Sequence, residues 1–236
     1  MLLIAHRSGP DTYPEQTIAS AREALSLGAD MVEIDCRPTA DGQVAMTHDP
    51  NLQRIFGVDK MITEIDAAEF RAYRHVTDPS FPSHMIEDVF QCGLKPLLIH
   101  VKDGAVLPAL LELIDRYDYV QNVTIGVTTA AGIRKVKQHD PEIKVLAFMH
   151  SMDNIDAVVA EKPEYIRLWE SWLNWENVEK VRNSGCGLWV MSGVLRVNVG
   201  YPSEENLKKI LSFKPDGLLI NEIRFAKRII SEIQNG

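Results

Sequence analysis

Cysteine is scarce in this chain. Of 236 residues only Cys36, Cys92 and Cys186 carry a thiol. They are odd in number, far apart and without C-x-x-C spacing, which argues against a disulfide framework. Buried free thiols in a reducing compartment are the expectation. Long apolar runs are missing too. No stretch approaches the ~18 consecutive apolar residues that a membrane-spanning helix needs. The opening "MLLIA" is too short for a signal peptide and is interrupted by His6-Arg7, so a cytoplasmic protein with no membrane span is expected. Basic charge is in deficit: 25 Lys and Arg stand against 33 Asp and Glu, a net charge of -8. That argues against a sequence-independent nucleic-acid binder, which needs a basic face. An anionic small substrate stays open, because a metal and one or two cations reverse the field locally. Repeats, low-complexity tracts and linkers are missing as well, so residues 1–236 read as one domain.

What is present is apolar material, 45% of the residues. That suffices for a core without disulfides or a structural metal. Short apolar stretches read as strands at Leu2–Ala5, Met31–Cys36, Gln43–Thr47, Leu97–Val101, Val123–Gly126, Lys144–Phe148, Tyr165–Leu168, Gly187–Met191 and Gly217–Ile220. Most are apolar at every position, as strands buried on both faces are. Between them, apolar spacings of three and four predict helices at Glu15–Leu27, Ala105–Tyr117, Thr129–Lys137, Ile155–Ala160, Trp175–Asn183, Glu204–Leu211 and Glu222–Ile233. Thr128 and Ser203 read as helix-opening caps. The stretch from Pro50 to Pro96 holds one further helix, at Glu64–Tyr73, and is long enough to be functional or peripheral.

Nine strands are one too many for an eightfold barrel. Only "RPTADG" separates Cys36 from Gln43, too little for a parallel crossover. These two strands therefore form a hairpin, with Asp41-Gly42 as the two-residue turn. Eight strands remain. The expected fold is an α/β, (β/α)8 TIM-type barrel with a β-hairpin insertion after strand 2, and a doubly wound sheet is the alternative.

In such barrels the chemistry sits at the carboxyl ends of the strands. The first strand ends at His6-Arg7. The second ends in "VEIDC", which puts Glu33 and Asp35 on one face. The hairpin brings His48 opposite Asp35 to within one residue of register. The third barrel strand ends in "LLIHVKDG", so His100 and Lys102 share a face. Each feature alone has a plain structural use: a solvated rim, a surface ion pair, a turn, a core histidine. Their convergence on one rim of three neighbouring strands is what points to a site.

Several of these stretches resemble one family, the glycerophosphodiester phosphodiesterases. "AHRSG…YPEQT" is similar to its His-Arg-Gly…Pro-Glu-Asn-Thr signature, and "GADMVEIDCRPTADGQVAMTHDPNLQR" to its second block. "LLIHVK" stands where the family has a Glu-x-Lys strand, and "PDGLLINE" resembles its last strand. The resemblance is dense from residue 4 to about 54 and thin in the second half. It implies a TIM-type barrel that uses one divalent cation, Mg or Ca, to split a small phosphodiester into an alcohol and a phosphomonoester. It further implies that His6 and His48 are the general acid/base pair, that Glu33 and Asp35 bind the metal, and that Arg7 and Lys102 contact the phosphate. Glu15 matches the Glu of the first block and would support the metal or its water.

The residue types suit that chemistry. A hard cation on carboxylate oxygens neutralises a phosphodiester. Arg7 grips phosphate in a fork and Lys102 adds a point charge. Histidine both accepts and donates protons near neutral pH. The attacker is either water or a neighbouring hydroxyl of the substrate, which would form a cyclic phosphate first. Three departures stand out. His100 occupies the position of a metal-binding Glu. Imidazole suits Mn or Zn better than Ca or Mg, so an altered metal or a weaker site is expected. The tryptophan after the family's seventh strand is missing, with Gly193 there. "RLWESWLNWENV" supplies other aromatics, of which Trp169 is the expected substrate contact; Trp172 and Trp175 would cap the barrel or serve a homo-oligomer contact. Ser8 interrupts the Arg-Gly step and Gln16 replaces Asn. These changes point toward a substrate such as a sugar phosphodiester. The alternatives are a catalytically weakened or inactive relative that binds a phosphorylated ligand, and a lyase that stops at the cyclic phosphate.

Overall fold

The short apolar stretches form strands, and their alternation decides which side chains face the middle of the molecule. The computed structural model describes residues 1–193 and 198–235. The strands are β1 (Leu2–Ala5), β2 (Met31–Pro38), β3 (Val44–Met46), β4 (Leu97–Val101), β5 (Val123–Val127), β6 (Lys144–Phe148), β7 (Tyr165–Trp169), β8 (Gly187–Met191) and β9 (Gly217–Ile220). All but β3 run parallel. The sheet order is β1-β9-β8-β7-β6-β5-β4-β2, and β1 also pairs with β2, so the eight parallel strands close into a barrel. The TIM-type expectation holds and the doubly wound alternative falls.

Helices cover the outside: α1 (Ile18–Ser26), α2 (Gln53–Phe56), α3 (Ala67–Arg71), α4 (Ile86–Gln91), α5 (Leu107–Arg116), α6 (Ala130–His139), α7 (Ile155–Val159), α8 (Trp175–Asn183), α9 (Glu204–Ser212) and α10 (Ile223–Asn235). One apolar set, including Leu3, Val32, Ile34, Ile99, Ile125, Val145, Ile166 and Val190, faces them. The alternate set, Ile4, Leu98, Leu146, Phe148, Trp189, Met191 and Leu219, fills the barrel interior. Side chains two apart share a face. Glu33, Asp35, His100 and Arg167 therefore stand on the inward face with this second set, nearer the carboxyl ends.

Four expectations about boundaries need correction. The hairpin loop is three residues, not two. Thr39 pairs with Gln43 and also accepts from Gly42 N–H at 3.0 Å, with Gly42 left-handed at φ 76. This is a tight turn closed by a glycine bulge. It moves the register by one, so Cys36 faces Met46 and Thr47, not His48, donates to the Asp35 carbonyl at 3.1 Å. The first helix starts at Ile18, not Glu15. Thr17 caps it by accepting from Ser20 N–H, and Gln16 before it is left-handed at φ 57. Glu15 and Gln16 are thereby released toward the barrel mouth. Thr129, rather than Thr128, caps α6, while Ser203 caps α9 as expected. The long excursion after β3 carries α2, α3 and α4 and its own apolar cluster of Leu52, Ile62, Ile65 and Phe70; its central helix covers only Ala67–Arg71.

Candidate active site

Beyond β1 the chain turns at once. His6–Ser8 form a single 3-10 turn, in which Arg7, Ser8 and then Gly9 take left-handed conformations, φ 51, 74 and 70. Two consecutive non-glycine residues in that region carry strain of order 1–3 kcal/mol each. The turn aims the Arg7 N–H at Glu33 Oε2, 2.7 Å away. A Cβ at Gly9 would meet the Ala24 side chain at 2.8 Å, so only glycine ends this turn against α1.

Glu33 and Asp35 are fully buried on the inner face of β2. Gln16 holds Asp35 at both ends: its Nε2 donates to Asp35 Oδ2 at 2.6 Å and its Oε1 accepts from the Asp35 N–H at 3.2 Å. Two carboxylate oxygens, Glu33 Oε1 and Asp35 Oδ1, have no hydrogen-bond partner. Both face His100 Nδ1, at 3.5 and 3.1 Å, and Lys102 Nζ stands 3.5 Å from Asp35 Oδ1. Buried acceptors left unpaired are costly. Burial opposes ionisation of Asp35, yet Lys102, His48 and His100 hold its carboxyl well below the usual range. Donor atoms of Glu33, Asp35 and His100 all lie within 4.8 Å of one another. Two buried carboxylate oxygens without a hydrogen-bond partner and an imidazole nitrogen make a donor set that fits one divalent cation.

His100 is backed from one side. Its ring stacks on Phe148 with centroids 3.9 Å apart and planes 6° from parallel. Phe148 reaches it across β5 because Gly126 lies between: a Cβ at Gly126 would sit 2.4 Å from the Phe148 ring.

The other two imidazoles are pinned through Nδ1. His6 is buried, and its Nδ1 lies 2.6 Å from Asn221 Oδ1; Asn221 Nδ2 donates to the Val199 carbonyl at 3.1 Å, which fixes the amide so that His6 Nδ1 is the donor. Burial pushes the His6 imidazole below its ordinary value, against the opposing pull of Glu33. His48 Nδ1 lies 2.6 Å from Asp49 Oδ1, and its Nε2 lies 2.9 Å from Arg7 Nη2, which can only donate. Both rings thus keep Nε2 as the second functional nitrogen. Glu15 touches none of the cation donors; it pairs with Arg7 at 3.0 Å and with Arg54. Arg54 also holds Asp49, so Glu15, Arg54 and Asp49 form a brace behind Arg7 and His48.

A cavity of about 380 Å³ opens on these groups, lined by His6, Arg7, His48, His100 and Lys102 and also by Arg167 and Trp169. The structure therefore brings together eight of the nine sequence candidates at one cavity or cation cluster, and places Glu15 one layer behind. Trp172 lies near Arg167, whereas Trp175 is 55% exposed and packs on Phe213 at 5.0 Å, away from the cavity. Gly193 leaves no room for a side chain, since a Cβ there would lie 2.1 Å from the Asn198 carbonyl; residues 194–197 that follow it lie outside the described residues. Residue reasoning missed Gln16 as a clamp on Asp35, Asn221 as the His6 anchor, the Arg54–Asp49 brace and Arg167. A signal existed for the last: an arginine inside the apolar strand "YIRLW".

A parallel barrel whose carboxyl mouth joins a carboxylate–imidazole cluster to two anchored histidines defines a class of site suited to phosphate esters. The family model of the glycerophosphoryl diester phosphodiesterases matches residues 6–185, and the chain belongs to that family. A human lysophospholipase D is 28% identical over 157 residues, 61% of this chain and 50% of that protein. A glycerophosphodiester phosphodiesterase of Caldanaerobacter subterraneus is 28% identical over 159 residues, 61% of this chain and 65% of that protein. The match spans about half the length of the curated lysophospholipase D relatives. An Oleispira antarctica phosphodiesterase, solved in complex with the product sn-glycerol-3-phosphate, superposes with a TM-score of 0.82 at 17% identity, over 98% of this chain and 97% of that one. That last likeness speaks to the fold. No helix among the described residues is long and apolar enough to cross a membrane.

Proposed function

We propose that the chain is a single-domain, metal-dependent phosphodiesterase that hydrolyses a small phosphodiester, a glycerophosphodiester or sugar phosphodiester, to an alcohol and a phosphomonoester. The observation that carries this reading is the meeting of two unpartnered buried carboxylate oxygens with His100 Nδ1, beside two imidazoles each anchored through Nδ1. The free thiols of all three cysteines agree with work in the reducing cytoplasm.

Glu33, Asp35 and His100 would hold the cation. When bound, it supplies positive charge against the phosphate oxygens. Arg7, steadied by Glu15, and Lys102 present further donors to the same anion. One Nε2, of His6 or His48, accepts the proton of the attacking hydroxyl; the other gives a proton to the leaving alkoxide. Asn221 and Asp49 engage each Nδ1–H, so Nε2 is the nitrogen that exchanges protons: unprotonated in the ring that accepts, and protonated, as imidazolium, in the ring that donates. The imidazole in the donor set favours Mn or Zn over Ca.

Hydrolysis of a panel of glycerophosphodiesters and sugar phosphodiesters, after chelation and readdition of single metals, tests the reading. Mn or Zn should restore activity better than Ca. His6→Ala and His48→Ala should each lower kcat by about 10²-fold or more, with the fold intact by circular dichroism. Full activity in chelator, or in both variants, would refute it. Phosphorus NMR distinguishes a cyclic phosphate from the monoester.

A further inference from the structure

The cavity contains a third cation that the reaction above does not use. Arg167 stands at the inward middle position of β7 and is only 4% exposed. Its Nε and Nη1 have no hydrogen-bond partner. Its Nη2 reaches the Met149 carbonyl only at 3.5 Å. The rings of Trp169, Phe148 and Trp172 lie 4.2, 5.1 and 5.9 Å from its Cζ. Aromatic faces stabilise the positive charge, but they offer no lone pairs in the plane where guanidinium N–H groups point.

The contrast with its neighbours is sharp. Arg7 pairs with Glu15 and Lys102 with Asp35. Arg167 has no ion-pair partner among the described residues, and burial alone acts on it, drawing it down to about 9. It still carries its charge at neutral pH. Residues 194–197 and 236 include no acidic side chain that could serve it. A buried, charged fork without a counter-ion is unfavourable unless an anion arrives.

Its position says which anion. Phe148 contacts both His100 and Arg167: its ring stacks on His100 at 3.9 Å and lies 5.1 Å from Arg167 Cζ. His100 and Arg167 line one cavity of about 380 Å³ from β4 and β7, with β5 and β6 between them in the barrel. A phosphate beside Glu33, Asp35, His100, Lys102 and Arg7 already has its cations. Arg167 and Trp169 stand on β7, where the rest of a small ligand would lie.

We propose that Arg167 anchors a second anion subsite, binding a carboxylate or phosphate carried on the alcohol half of the ligand; that this alcohol belongs to a diester substrate rests on the phosphodiesterase reading. The substrate class is then a small phosphodiester with an extra anionic group, because the planar fork matches paired anionic oxygens. A cavity of this volume lies at the lower end of small-molecule sites and suits a compact alcohol.

Calorimetric titration in saturating Mn compares three probes: glycerol 3-phosphate, 3-phosphoglycerate, which adds a carboxylate, and glycerol 1,3-bisphosphate, which adds a phosphate. At least one of the two probes with a second anionic group should bind about tenfold or more tightly than glycerol 3-phosphate, the size of one charge-assisted fork. Which one does so identifies the anion. Arg167→Gln should abolish the preference, bringing the affinity for the preferred probe down to that for glycerol 3-phosphate in the same variant; Arg167→Lys should restore part of it. Equal affinities in the unaltered protein would overturn the proposal without recourse to any variant. A preference that survives in Arg167→Gln would overturn it too, assigning recognition to Arg7 or Lys102. A parallel assay follows hydrolysis of glycerophosphoglycerol and of its counterpart bearing a carboxylate on one glycerol. If neither is cleaved while the binding preference holds, the phosphodiesterase reading falls and the anion subsite stands.

Discussion

Gln16 shows how one residue can govern a site without facing its ligand. Only 3% exposed, it answers both the carboxylate and the backbone N–H of Asp35. That leaves Asp35 Oδ1 facing His100 Nδ1 and Lys102 Nζ. At the proposed cation site, a group that orients a ligand in this way is typically worth 10–100-fold in metal affinity. Gln16→Ala should therefore weaken Mn binding by about that factor, measured by calorimetry, while thermal unfolding of the metal-free protein moves little. Unchanged Mn affinity would remove Gln16 from the site. The substitution of Asn by Gln in the first block was visible in the sequence. What it does was not, because the left-handed turn at residue 16 and the late start of α1 decide where the side chain points.

At the scale of elements, neighbouring strands set each other's side chains. His100, Gly126 and Leu146 are register partners across β4, β5 and β6. The missing side chain on β5 lets Phe148 of β6 cover it and brace His100. Gly126→Ala should displace that ring. Overpacking of this kind costs about 1–3 kcal/mol, readable from denaturant midpoints, and the metal affinity should fall as His100 loses its support. A variant as stable and as metal-competent as the parent would show that the ring has room to move. The strands themselves were legible: nearly all the expected stretches match the structure within two residues, since apolar runs between turn signals have few other uses. The hairpin was legible as a hairpin, but its loop length was not, because Asp41-Gly42 serves a two-residue turn and a three-residue bulged turn equally well. That ambiguity moved His48 by one position.

The whole molecule is a closed ring of strands wrapped in helices, and closure joins distant parts of the chain. β1 pairs with both β2 and β9, which carries Asn221 to His6, 215 positions away in sequence. The same closure buries two of the three thiols: Cys36 is 0% and Cys186 9% exposed, and burial pushes the Cys36 thiol up. Ellman's reagent should titrate one thiol, Cys92, in the native protein and three after denaturation without reductant. Fewer than three on denaturation would reveal a disulfide, and fast reaction of two or more in the native state would mean that the barrel opens.

By itself the sequence determined the eight strands, the hairpin, and the faces shared by Glu33 with Asp35 and by His100 with Lys102, because a strand's alternation is a local property of the chain. The tertiary structure alone decided which side chains found partners. Glu15 was drawn back to Arg7 and Arg54, Asn221 was brought to His6, and Arg167 was left buried without an acceptor. Those outcomes depend on barrel closure and strand register, which bring together residues that no sequence spacing relates.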